Sequence, residues 1–239
     1  RVKGANGPLI LKRSLEHFAS KAALDIDTLG EKNVAALVEA GLVKDLADIY
    51  RLTTSDLIEL DRFGEISANK LIKAIVEKKQ PELERFIYGL GIRHVGVQTA
   101  IDLVNHFQSV DSLRKTGLEE LQAVDGVGKI VAESILAWFA DEDNQQLLDK
   151  FTQLGVEPSF QKKSGKLAGL NFVVTGTLQS MSRDEAAEKI RALGGGFQAS
   201  VAKDTNYLVV GGKVGASKLK KAEKYGTEII TEEQFSQLL

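Results

Sequence analysis

The sequence predicts a two-part chain: an all-α region of four helix, tight hairpin, helix repeats, then a small α/β domain with a parallel four-stranded sheet. Three observations carry this reading. A glycine preceded by an apolar residue recurs at Gly30, Gly64, Gly96 and Gly128, at intervals of 34, 32 and 32 residues, and a fixed period of this length marks a repeated supersecondary unit. The apolar register around each glycine is the same. Ile26, Leu60, Ile92 and Val124 lie four before it, and Leu29, Phe63, Val95 and Val127 one before. Leu37-Val38, Leu71-Ile72, Leu103-Val104 and Ile135-Leu136 lie seven and eight after it, as a buried helix face requires. Past residue 166 the period changes to short apolar runs alternating with amphipathic stretches, the pattern of strands joined by crossover helices.

Taken in order, residues 1–10 form a basic arm with two glycines and no periodicity, and a chain that begins this way is expected to be cut from something longer. Leu11, Leu15, Phe18 and Ala22 start the first helix, which leads into the hairpin Asp27-Thr28-Leu29-Gly30; the next helix runs from Glu31 to a stop at Gly41. Leu42 to Leu60 holds a turn and a helix capped near Thr54 or Ser55, before the hairpin Arg62-Phe63-Gly64. An amphipathic helix from Leu71 to Lys79 ends ahead of Pro81. The helix Glu82 to Leu90 precedes the third hairpin, Gly91 to Gly96, and Thr99 to Phe107 follows it. Leu113 to Val124 leads to the fourth hairpin, and Lys129 to Phe139 closes the repeats with Trp138 placed in the core. Ala68, Ala100 and Ala132, four after their glycines, are small enough for close helix packing; Val34 is the exception. The helical domain is bounded at 11–155, and Gly155, Pro158 and the polar run at 161–165 predict a linker over 156–166.

In the last domain, 167–239, the predicted order is βαββαβα. The expected strands are Phe172 to Val174, Phe197 to Val201, Tyr207 to Val210 and Glu228 to Ile230. Helices fall between, the first capped by Ser182 with Glu185, the last by Thr231 with Gln234.

Composition narrows the chemistry. No cysteine is present, which removes disulfides and thiolate metal sites and suits a reducing cytoplasm. No run of about 18 apolar residues marks a membrane span. The net charge is −2; residues 1–165 carry 21 basic against 25 acidic side chains, and residues 166–239 carry 10 against 8. A simple electrostatic nucleic-acid binder is normally basic, so any polyanion contact here has to be local.

Local contact is what the hairpins offer. A glycine turn ahead of a helix exposes backbone N–H groups at the positive end of the helix dipole, where an anionic oxygen needs no side-chain partner. The plainer alternative is a solenoid whose glycines only end helices. Thr28, Arg62, His94 and Gly126 take the place two before the hairpin glycine, so only the fourth hairpin has both glycines. Lys32, Lys70 and Lys129, just inside the second helices, could touch phosphate or be solvated surface lysines. Arg93 and His94 are side-chain candidates or a capping pair. Ser67 and Thr99, three after a glycine, can donate to phosphate or be satisfied in their own helix. His17 and His106 read as packing or surface residues, since no partner ligands accompany them. Gly126-Val127-Gly128 is no dinucleotide fingerprint: no strand precedes it and Val131 stands where a third glycine belongs. In the last domain Thr175-Gly176 ends a strand and Lys218 begins a helix, a placement that can hold phosphate. No nucleophile and base set or acidic metal cluster is visible.

The four hairpins, the segments Leu24-Asp25-Ile26-Asp27 and Leu90 to Gly96, and Val174-Thr175-Gly176-Thr177-Leu178 together resemble the C-terminal half of bacterial NAD-dependent DNA ligase, a tandem helix-hairpin-helix domain followed by a BRCT domain. The resemblance runs from about Leu11 to the end. It implies binding around nicked duplex DNA through hairpin amides on minor-groove phosphates, in replication and repair. It also implies upstream domains of the same polypeptide as partners, and a possible protein partner for the BRCT domain. The family's reactive lysine lies in Lys-x-Asp-Gly, and the one Asp-Gly here, Asp125-Gly126, follows Ala123-Val124. The resemblance therefore implies a chain that binds without ligating alone, with NAD used by domains upstream. The family carries a four-cysteine zinc module just before the segment matching Leu11 to Phe18, and cysteine is absent here; either the chain starts beyond that module or Arg1 to Leu9 replace it, and zinc is not expected.

Overall fold

The apolar register places one helix on either side of each hairpin glycine. The computed structural model describes residues 7–161 and 165–239, and the chain divides into a helical unit ending at Phe160 and an α/β unit beginning at Gln161. In the helical unit α1 (Gly7–Ala19) packs against α2 (Glu31–Glu39) across the first hairpin, and α3 (Thr54–Ile58) against α4 (Glu65–Val76) across the second. The third hairpin joins α5 (Leu83–Gly89) to α6 (Val97–Phe107). A short α7 (Val110–Lys115) intervenes before α8 (Leu118–Gln122), which the fourth hairpin joins to α9 (Lys129–Ala140); α10 (Glu142–Gln153) completes the unit. Ala68, Ala100 and Ala132 are fully buried, and so is Val34 in the equivalent place.

The core is knit by aromatics from distant helices. Phe151 of α10 stacks on Phe18 of α1 at 5.6 Å between ring centroids and meets Phe86 of α5 edge-on at 5.1 Å. The Tyr50 hydroxyl donates to the Lys78 carbonyl at 3.0 Å, and burial pushes its pKa well up. Next to this core the Lys150 ammonium sits 2.6 Å from carboxylate oxygens of both Asp45 and Asp48, tying α10 to the 3-10 helix Leu46–Arg51. Burial alone would raise the Asp48 carboxyl, but the Lys150 hydrogen bond and the amide of Lys44 outweigh it and hold the pKa below the usual carboxylate value. Lys150 is raised in turn: burial opposes its charge, and Asp45 and Asp48 more than compensate.

Several expected boundaries move. Gly7 to Ile10 already belong to α1, so of the arm expected over 1–10 only residues 1–6, outside the described residues, are left. Of the linker expected over 156–166, residues 162–164 lie outside the described residues and 156–160 belong to the helical unit. Val156 is buried, the Glu157 amide donates to Lys79, and Ser159 pairs with Pro81 and Leu83. Left-handed Gly155, with φ +76, turns the chain back so that Val156 reaches the core. The stretch 113–124 that leads to the fourth hairpin is split between two helices, because Thr116 is extended and Gly117 starts a new cap. Trp138 is half-buried; Phe139, in phase with Ala132 and Ile135, takes the core position.

The α/β unit has β1 (Asn171–Thr175), α11 (Arg183–Ala192), β2 (Gly196–Gln198), β3 (Tyr207–Val210), α12 (Ala216–Tyr225), β4 (Glu228–Thr231) and α13 (Glu232–Leu238). All pairings are parallel, in the order β2-β1-β3-β4, with Phe172 beside Phe197 and Tyr207, and Val209 beside Ile230. Successive strand residues face opposite sides: Phe172, Val174 and Val209 pack with Ile190 and Phe235, while Val173 and Leu208 pack with Ala222. Both capping boxes form, at Ser182 with Glu185 and Thr231 with Gln234. The strand expected over 197–201 is only three residues long and starts at Gly196.

Candidate nucleic-acid interface

Each hairpin is pinned by one hydrogen bond and one buried anchor. The amides of Leu29, Phe63, Val95 and Val127 donate to the carbonyls three residues earlier, of Ile26, Leu60, Ile92 and Val124, at 3.0–3.3 Å. The four donor side chains are buried, and the glycine after each is exposed. Residue i+2 of the turn is left-handed in three hairpins: Thr28 and His94, both with φ +67, and Gly126 with φ +76. Arg62 is not left-handed, so the second hairpin turns differently. A β-branched residue in this region is strained, and the Thr28 hydroxyl is also buried without a partner.

Gly30, Gly64, Gly96 and Gly128 are the N-caps of α2, α4, α6 and α9, with φ between −79 and −90 and ψ near 180. Any residue adopts that conformation. A Cβ built on any of the four meets nothing within 4 Å. Serine, asparagine or aspartate would cap these helices better, because their side chains accept from the free amides. The fold thus has no need of glycine at these four places, and what glycine leaves there is an uncovered set of N–H groups at the positive ends of helices of 9 to 12 residues.

The hairpins come in two equivalent pairs. Lys70, six after Gly64, lies 3.5 Å from Asp27, three before Gly30. In the same register, Ser134, six after Gly128, donates to the carbonyl of Arg93, three before Gly96, at 2.8 Å. The first hairpin therefore sits beside the second, and the third beside the fourth.

The candidate side chains divide. Lys32, Arg62, Arg93 and His94 are exposed and take no partner among the described residues. Lys129 lies 3.8 Å from Glu133. The Ser67 hydroxyl is used locally, accepting from the Gly64 amide and donating to its carbonyl, each at 3.0 Å. Thr99 is half-buried, and its hydroxyl makes no hydrogen bond among the described residues. Asn33, not singled out in the sequence, closes the first hairpin by donating to the Thr28 carbonyl at 2.7 Å. His17 bonds the Tyr88 carbonyl through Nε2 at 2.8 Å, and His106 faces Glu120 at 3.9 Å. The turn at Gly126 follows α8 and not a strand, so it lacks the strand, turn, helix context of a dinucleotide fingerprint. Among the described residues no cluster of three His, Cys, Asp or Glu side chains could hold a metal ion, and no helix is long and apolar enough to cross a membrane.

In the α/β unit Thr175 ends β1 and is buried, and Gly176 follows with φ +78. The Lys218 ammonium lies 3.5 Å from the Val174 carbonyl at the same strand end. Burial, and then the positive charge of Arg183, lower the Lys218 pKa. The Arg183 guanidinium itself stacks over the Phe197 ring of β2, 5.6 Å from its centroid, so Lys218 is the cation that stands at the strand end beside Thr175 and Gly176. Arg183 escaped the sequence reading; its place as the first helical residue after the Ser182 cap was the available signal.

Three domain families match the chain: a SAM-like helix-hairpin-helix tandem over residues 20–77, a helix-hairpin-helix motif over 85–148 and a BRCA1 C Terminus (BRCT) domain over 162–239. Proteins named DNA ligase align with nearly all of it: 47% identity over 234 residues in Trichlorobacter lovleyi, 46% over 236 in Dehalococcoides mccartyi and 43% over 240 in Bacillus cytotoxicus. The chain is a homologue of DNA ligases, built from tandem helix-hairpin-helix and BRCT domains. Each alignment covers 97% of this chain, and the chain spans about a third of the length of these curated relatives, 34%, 35% and 36%. The two helix-hairpin-helix matches fall on the two hairpin pairs, and the BRCT match falls on the four-stranded sheet.

Proposed function

We propose that this chain is the DNA-binding, non-catalytic portion of an NAD-dependent DNA ligase. On this reading it grips nicked duplex DNA through hairpin amides on minor-groove phosphates, during replication and repair in the bacterial cytoplasm. The observation that carries it is the four cap glycines: exposed, unstrained, with open space where a Cβ would stand, each ahead of uncovered helix amides. A phosphate oxygen placed there accepts from two or more N–H groups and is held by the helix dipole, with no lysine required. Contacts of this kind go to the backbone and read no base sequence. Catalysis would belong to other domains of the same polypeptide, which would use NAD.

The test is fluorescence anisotropy on a nicked duplex across a salt series. The expected result is sequence-independent binding at low salt, with a shallower salt slope than a lysine-rich protein of equal affinity shows, because fewer cations release counterions. No binding at low salt, or strong preference for one sequence, rejects the reading.

The approach of Lys218 to the Val174 carbonyl, at the strand end that Thr175 and left-handed Gly176 close, supports a second activity, recognition of a phosphate group by the BRCT domain, on a protein partner or on DNA. Titration with a phosphopeptide and with a 5′-phosphorylated oligonucleotide, followed by amide shifts at Thr175 to Leu178, tests it. Binding of either that Lys218→Ala weakens is expected; binding indifferent to that variant excludes it.

A further inference from the structure

Ile66 and Ile130 stand out on the surface. They are 87% and 70% exposed, more than any other large apolar side chain of the described residues. Isolated exposed apolar residues are common and need no explanation, but these two share one register. Each is the second residue after a hairpin glycine, Gly64 or Gly128, and each belongs to the second member of a hairpin pair. The first members carry polar Lys32 and Gln98 in that place. A helical Cβ tilts toward the helix N-terminus, so each isoleucine leans past the uncovered amides toward whatever they hold.

Accepting the reading of the hairpins as a phosphate grip, we propose that Ile66 and Ile130 are apolar contacts to the deoxyribose faces lining the DNA minor groove, one beside each phosphate gripped by a hairpin pair. A phosphate bound at the N–H groups brings its two flanking sugars to the same helix end. The sugar ring is the apolar part of the backbone, and apolar wedges are a recurrent means of minor-groove contact. The contact involves no charge, so it adds affinity without adding to the salt slope.

The experiment compares the full chain with I66S, I130S and I66S/I130S on a nicked duplex, by anisotropy at several salt concentrations. V76S, at the far end of α4 and 53% exposed, serves as control. Melting temperatures should be unchanged, since none of these side chains is buried. The expected result is a loss of about threefold to tenfold for each single variant and at least tenfold for the double variant, with the salt slope unchanged and V76S indistinguishable from the parent. Unchanged affinity in I66S/I130S, under conditions where threonine at Gly96 and Gly128 abolishes binding, overturns this inference and leaves the grip standing. A slope that falls along with affinity overturns it as well, because the isoleucines would then be acting through phosphate contacts.

Discussion

The sharpest consequence of the hairpin geometry is a separation of stability from affinity in the double variant G96T/G128T. Both glycines have φ and ψ open to any residue, at −88 and −175 for Gly96 and −79 and 175 for Gly128, and a Cβ at either meets nothing within 4 Å. Threonine ranks close to glycine as an N-cap, so the change in folding stability should stay within about 0.5 kcal/mol. The new side chain nevertheless occupies the approach to the amides and can accept from one of them. A hydrogen bond to a charged group contributes roughly 1.5–3 kcal/mol, so blocking one phosphate at each hairpin should weaken DNA binding by about tenfold to a hundredfold per site. Thermal melts and nicked-duplex anisotropy on one preparation read both quantities. Unchanged affinity with an unchanged melt would refute the amide grip. Lost affinity with a collapsed melt would refute the claim that the fold has no need of glycine there.

Thr28→Gly should raise stability by about 1 kcal/mol, because it removes a β-branched residue from φ +67 and a buried hydroxyl with no partner; a lower urea midpoint would contradict this. Asp48→Asn should cost roughly 1–3 kcal/mol at pH 7, since it removes a charged partner of Lys150. The folded-state pKa of Asp48 is depressed, so its contribution is full above the unfolded value of about 3.9 and disappears as pH falls through the folded value. The parent should therefore lose more stability than the variant on acidification below about pH 4, and parallel urea midpoints at pH 7 and pH 3 would exclude the linkage. Gly176→Ala should destabilise the BRCT unit by more than about 2 kcal/mol, because its Cβ would stand 2.5 Å from the Gly212 carbonyl oxygen at φ +78. Faster hydrogen exchange in β1 and β3 is the expected signature, and unchanged exchange the contrary one.

The hairpins could be read from the sequence because two local features coincide at each: an apolar anchor that is buried and a glycine that stays exposed. Both act within five residues, so a one-dimensional pattern records them. Trp138 and Phe139 show where such a pattern blurs. Adjacent aromatics compete for one face, and only the phase set by Ala132 and Ile135 decides for Phe139. Val156 was lost for another reason: a single apolar residue in a polar, glycine-interrupted stretch carries no period. The bond of Lys150 to Asp45 spans 105 residues, and the approach of Lys218 to Val174 spans 44; neither leaves any periodic trace. The closure of the second hairpin by Ser67 was visible only as one of two alternatives, because a hydroxyl at that position serves helix and phosphate equally well.

The pairing also bears on how an acidic chain can hold a polyanion. The first two hairpins place Glu31 and Glu65 at the first helical position, where a carboxylate already answers the helix dipole. In the second, Ser67 further occupies the Gly64 amide. The third and fourth place Val97 and Lys129 there instead, with Arg93 and His94 exposed close by. On the proposed reading the pair at 96 and 128 therefore carries most of the phosphate attraction. The pair at 30 and 64 contributes shape, with Ile66 leaning from its second helix, and weaker amide contacts. A net charge of −2 does not oppose this arrangement, since charges more than about 8–10 Å from a bound phosphate are largely screened in physiological salt. What matters is the charge within one helical turn of the cap glycine, and there the second pair is the one free of carboxylates at its first helical positions.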